Sequence, residues 1–171
     1  MRSFESSSAE KIHLEHEAAK LFMRQYEKLT GKEIRHIWHN EPNRPDVSCV
    51  LEGQRLDLEI AHLYGSEQEA MKILKRSLSQ KTRDELREQA SCTDVDQRLL
   101  NALNRILTNK AQKHYKTGKV WLIIRNAHPA WTANKITALQ HKIKVPFEHP
   151  FEEIWMVADM KGKSGIVQLF P

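Results

Sequence analysis

Cysteine is nearly absent from this sequence. Cys49 and Cys92 are the only two, and Cys49 falls inside a strand-like run, so there is no disulfide framework; a reduced, intracellular and cytoplasmic chain is the expectation. Long apolar runs are missing as well. Nothing approaches the roughly 20 residues that span a bilayer, and residues 1–10 lack the apolar centre of a signal peptide, so no membrane partner is expected. The six glycines are scattered and form no phosphate-cradling loop, which sets aside the nucleotide-binding motifs built on one. No internal repeat occurs, and low complexity stops at Ser6-Ser7-Ser8. Two metal signatures also fail. His13-Leu14-Glu15-His16 lacks the i, i+4 pair of helical zinc ligands, and no Cys-x-x-Cys follows His39-Asn40-Glu41 as a zinc deaminase requires. Basic residues form no single tail: 27 Lys and Arg against 22 Asp and Glu are spread along the chain. The net charge of +5 leans towards an anionic partner.

Of the 171 residues, 40% are apolar, enough for one domain with its own core. That domain is placed at residues 9–171, after a disordered segment 1–8. The helical spacing of Leu14, Ala18, Leu21, Phe22, Gln25 and Leu29 predicts a first helix over 9–29, stopped by Thr30-Gly31. Glu15 sits beside its apolar face and Glu17 points away. Alternation predicts strands at 33–39, 47–52 and 55–62, the last two joined by a turn at Glu52-Gly53-Gln54. Capping-box patterns at Ser66-Glu67-Gln68-Glu69 and Thr82-Arg83-Asp84-Glu85 predict a polar helical region with a break near residue 80.

A stronger helix follows over 94–115. Leu99, Leu103, Ile106 and Leu107 form its stripe, and its continuation turns Lys110 towards the sheet while Lys113 falls at the edge. Val120-Trp121-Leu122-Ile123-Ile124 is apolar on both faces, the pattern of a buried central strand reached by a crossover. A helix over 129–143 and strands at 153–158 and 166–170 complete a mixed α/β domain. The tryptophans and the paired histidines read mostly as core and surface, respectively.

The chemistry concentrates in residues 44–61. Asp46 follows Pro45 at the start of one strand. On the next, Leu56, Leu58 and Ile60 take one face while Asp57, Glu59 and Ala61 take the other. Carboxylates inside an apolar strand are costly unless something pairs with them.

Pro45-Asp46, followed thirteen residues later by Glu59-Ile60-Ala61, resembles the PD-(D/E)XK nuclease superfamily, and the element order from Glu15 to Arg125 is similar to its αβββαβ core. The resemblance implies a restriction-endonuclease-like fold. It also implies Mg²⁺ or Mn²⁺ held by Asp46, Glu59 and the Ile60 carbonyl, with Glu15 joining directly or through water. The family's motif lysine would stand at residue 61, where this chain has Ala61. Some branches carry that lysine on the following helix, which makes Lys110 its counterpart. Asp46, Glu59, Lys110 and Glu15 are thus the expected catalytic group of a metal-dependent nuclease. Nucleic acid, DNA ahead of RNA, would be its partner, and homodimer formation is compatible. A module that keeps the fold and binds nucleic acid or protein without turnover is the alternative. A regulatory protein with a chance acidic pair is a third reading.

Overall fold

Alternating strands with apolar residues on both faces need a helix on each side, and the chain supplies them. The structure, a computed structural model, describes residues 2–41, 44–64, 80, 84 and 94–171. Its described elements are α1 (Arg2–Thr30), β1 (Ile34–His39), β2 (Val47–Leu51), β3 (Gln54–Leu63), α2 (Val95–Ala111), β4 (Val120–Asn126), α3 (Ala133–Leu139), a 3₁₀ turn (Gln140–Lys142), β5 (Glu153–Val157) and β6 (Ile166–Phe170). The expected polar helical region and its break near residue 80 lie outside the described residues. The strands form one sheet in the order β1-β2-β3-β4-β5-β6. β3 pairs parallel with β4, and β4 with β5, while the other neighbours are antiparallel. Among the described residues no helix is long and apolar enough to cross a membrane.

The alternation of β3 separates two cores. Leu56, Leu58 and Ile60 pack with Ala18, Phe22 and Tyr26 of α1. Ala61 and Leu63 pack with Leu99, Leu103 and Leu107 of α2, on the opposite face. Tight β2–β3 pairing follows from Glu52 (φ 48°) and Gly53 (φ 81°), two consecutive positive angles that suit a two-residue hairpin turn. α1 ends where expected: the Gly31 N–H donates to the Glu27 carbonyl at 2.8 Å with φ 73°, the left-handed stop that glycine favours.

Several boundaries differ from expectation. α1 begins at Arg2, inside the segment 1–8 set down as disordered. Leu29 lies on the exposed side of the last turn rather than in the core. Helix α2 ends at Ala111 instead of Tyr115, and Gln112 caps it by donating its N–H to the Lys110 carbonyl. The helix expected from Pro129 starts at Ala133, because the Thr132 hydroxyl accepts from the Lys135 N–H and fixes the cap there. Glu17 does not point away from everything. It pairs at 3.4 Å with Arg125, a fully buried cation that also donates through Nε to the Met160 carbonyl at 3.0 Å.

That β5–β6 turn is clamped to α1 a second time: Gln25 Nε2 donates to the Gly162 carbonyl at 2.8 Å. Gly162 has φ 69°, and a Cβ there would meet Leu21 atoms at 3.1 and 3.2 Å. Gly162→Ala is therefore expected to cost about 2 kcal/mol and lower Tm by about 4–8 °C. An unchanged melting curve would show that the turn gives way freely.

Candidate functional site

Strand β2 begins one residue after Asp46, so beyond that point β3 has no antiparallel neighbour and its edge opens. Asp57 donates its N–H to the Lys119 carbonyl on the β4 side at 3.1 Å. Since successive residues of a strand point to alternate edges, Ile60 faces the open side. Its N–H donates to Asp46 Oδ2 at 2.9 Å, which sets the Ile60 carbonyl on the same edge as the aspartate. The loop leading to Asp46 is fixed by Asn40, whose side-chain amide donates to the Pro45 carbonyl at 2.9 Å and to Ser48 Oγ at 2.7 Å. Ser48 Oγ donates in turn to the buried Asp57, and the Arg55 Nε–H reaches the same carboxylate at 3.0 Å.

Glu59 is almost fully buried on the face shared with Ala61 and α2. Three donors converge on its Oε2: Lys110 Nζ at 3.3 Å, Lys113 Nζ at 3.1 Å and the Tyr115 hydroxyl at 2.6 Å. Lys110 comes from the last turn of α2, on the line extrapolated from the buried leucines. Lys113, expected at the edge, instead comes closer than Lys110. Because the helix stops at Ala111, the chain after it folds back and delivers Lys113 and Tyr115 to the same oxygen. His114, counted on the helical stripe, is exposed and lines the cavity mouth.

Glu15 comes from α1. It is 5% exposed, its Oε1 lies 3.8 Å from Lys11 Nζ, and its Oε2 is buried without a hydrogen-bond partner. With Asp46 and Glu59 it lines one cavity of about 680 Å³, together with Lys11, His39, Arg44 and Lys113 among others. The cavity is therefore lined by four acidic side chains, Glu15, Glu41, Asp46 and Glu59, with basic residues among them.

The electrostatics are uneven. Burial raises the Asp46 carboxyl well above the usual range, and the hydrogen bond and charge of Glu59 and the charge of Glu15 add to it, outweighing the Ile60 N–H. Burial also pushes Glu59 up, but Lys110, the hydrogen bonds from Asp46 and Tyr115, and Lys113 outweigh it and hold Glu59 well below its ordinary value. Asp46 is thus held up and Glu59 down, the divergence expected of two neighbouring buried carboxyl groups that resist ionising together. Burial and the same Glu59 contact push the Tyr115 phenol upward, so it stays a donor.

Asp46, Glu59, Glu15 and the Ile60 carbonyl offer only oxygen atoms, the donor type that Mg²⁺ or Mn²⁺ prefers. Among the described residues no three His, Cys, Asp or Glu side chains already stand as a metal-ligating group. Tyr115 and Lys113 are the participants that sequence reasoning did not assign roles. In the sequence they stand just beyond the inward lysine, in the pattern Ile106-x-x-x-Lys110-x-x-Lys113-x-Tyr115 before a buried strand. The chain matches no protein-family model, no curated protein and no solved structure, so its chemistry is read from the site itself.

Proposed function

We propose that this chain is a divalent-metal-dependent nuclease, hydrolysing phosphodiester bonds of nucleic acid from a restriction-endonuclease-like core. One observation carries the reading: Asp46, Glu59 and Glu15, whose buried Oε2 has no hydrogen-bond partner, line one cavity, with Lys110 seated on Glu59 from α2. Residue 61, where the motif lysine would stand, is a small alanine packed under the leucines of the same helix.

Asp46, Glu59 and the Ile60 carbonyl would hold the cation, with Glu15 completing the set. When bound, the cation supplies Lewis acidity and lowers the pKa of water. The remaining work belongs to the chain. Glu59 holds the Lys110 ammonium in place, and that ammonium orients the attacking water and offsets the charge gathering on the phosphate oxygens. Lys113, half-exposed at the cavity rim, meets the phosphate from the solvent side. Tyr115 keeps Glu59 from rotating by holding the same oxygen. The net charge of +5 assists the approach of a polyanion.

The triple capping of Glu59 Oε2 also suits a second reading, in which the ion cluster is purely structural and the chain binds nucleic acid or protein without turnover. Cleavage assays on single- and double-stranded DNA and on RNA, with Mg²⁺ and with Mn²⁺, separate the two. Wild type is expected to cut at least one substrate, and Glu59→Gln to cut none. A wild type that cuts nothing gives the second reading the lead.

A further inference from the structure

The cavity does not end at Tyr115. Lys113 and His114 also border a second groove of about 610 Å³, whose far wall is Pro146, Glu148, His149 and Pro150. The two depressions meet at that Lys113–His114 saddle. A ladder of rings runs beneath it: Tyr115 to Phe151 at 6.1 Å between centroids, Phe151 to His149 at 6.0 Å, and His149 edge-on to Phe170 at 4.4 Å. His149 Nδ1 accepts from the Phe151 N–H at 3.2 Å, leaving its Nε2–H as the ring's donor. This imidazole is therefore held in one orientation in the wall of the groove.

Phe147 lies between the lining residues Pro146 and Glu148, does not itself line the groove, and is 100% exposed. The loop is braced: the Lys144 N–H donates to Asn104 Oδ1 of α2 at 3.0 Å, and prolines at 146 and 150 restrict the backbone on either side. An aromatic ring held entirely in solvent on a braced loop gains nothing for folding. In the segment 142–148 that carries it, the exposed Lys142 and Lys144 stand against one acid, Glu148. Aromatic faces next to cations, continuous with a site for phosphodiesters, match a polymer whose bases stack and whose backbone is anionic.

We propose that this groove holds an unpaired stretch of nucleic acid next to the scissile phosphodiester, with Phe147 and His149 stacking on its bases and Lys113 at the saddle meeting its backbone. This rests on the reading of the neighbouring cavity as a nuclease site, and it specifies a single-stranded segment as the substrate form. Stacking needs an open base face, which a paired duplex does not offer away from its ends.

The test is fluorescence anisotropy of a labelled single-stranded DNA of about 12 nucleotides, within the usual footprint of such grooves, in EDTA so that nothing is cut. Wild type is expected to bind it more tightly than the matching duplex. Phe147→Ala and His149→Ala should each weaken binding about tenfold, the effect of losing one stacked base, and Phe147→Trp should restore it. Because Phe147 makes no packing contact to lose, Phe147→Ala should melt as wild type does, so weaker binding is not misfolding. Unchanged binding by Phe147→Ala, no binding by wild type, or equal duplex affinity would each overturn the groove assignment. The two readings fail separately. Binding that depends on Phe147, without metal-dependent cleavage, keeps the groove and removes the nuclease. Cleavage with binding indifferent to Phe147 does the reverse.

Discussion

Lys110→Ala is expected to lower nuclease turnover by about 10²–10⁴-fold, the range for losing a group that acts on a proton or charge in the transition state, while Mn²⁺ uptake persists. The geometry motivates the split. Lys110 Nζ lies 3.3 Å from Glu59 Oε2, and its side chain is only 21% exposed, so water screens its charge little. Lys113 reaches the same oxygen at 3.1 Å but is 51% exposed. Its removal should cost less, about tenfold, and chiefly in KM, because a rim cation steers and holds the phosphate more than it stabilises the transition state. Tyr115→Phe removes one donor without vacating space and should fall between the two. Steady-state kinetics on the best substrate, with calorimetric Mn²⁺ titration of each variant, make the comparison. If Lys110→Ala cuts as fast as wild type while Glu59→Gln is dead, the displaced-lysine mechanism is wrong. A double variant, Ala61→Lys with Lys110→Ala, adds a positive control. It returns a lysine to the same sheet face and should recover part of the lost turnover.

Lys110 was legible because it obeys a period. Leu99, Leu103 and Leu107 are buried, and a residue three beyond the last of them must face the same way while the helix lasts. Lys113 and Tyr115 were not legible, because their placement depends on where the helix stops. Its end carries no glycine at the stop: Gln112 turns with φ −82° and ψ −8°, an ordinary helical conformation that leaves no mark in the sequence. Extending the period to Tyr115 put these residues on diverging faces, whereas unwinding at Ala111 brings them to one oxygen. The central strands were readable from alternation and from the doubly apolar run at 120–124, and the structure places β2, β3 and β4 side by side. Glu15 lay between the extremes. Helical spacing put it at the border of the apolar face, but not buried with one oxygen unpartnered, which the packing of the whole fold decides.

Asp46→Asn should abolish the Mn²⁺ binding heat and, in metal-free protein, raise Tm at pH 8 by about 5 °C or more. Both effects come from the carboxyl pair. In the folded chain Asp46 is pushed up to about 8, above the ordinary Asp range of the unfolded chain. A group whose folded pKa is raised binds its proton more tightly when folded. Its contribution to stability is full below the unfolded value and is lost as pH rises through the folded one. Glu59 has the opposite sign: held down at about 2, it stabilises above the ordinary Glu range and loses that contribution only in strong acid. Between pH 4 and 8, then, Asp46 is the member of the pair that makes the metal-free protein lose stability. Asparagine is the neutral isostere of its protonated form. It can still accept the Ile60 N–H and can donate to Glu59, so it keeps the fold's hydrogen bonds without the charge. Wild type and Asp46→Asn should therefore melt together near pH 4 and diverge as pH rises, with the variant the more stable, a trade of stability for function common at sites of this kind. Metal uptake by wild type should release close to one proton at neutral pH, because the cation displaces the one held on Asp46. Repeating the titration in buffers of different ionisation enthalpy measures that release. Equal Mn²⁺ heats for the two proteins would remove the metal site, and melting curves that stay parallel from pH 4 to 8 would show that Asp46 is not held up in the folded chain.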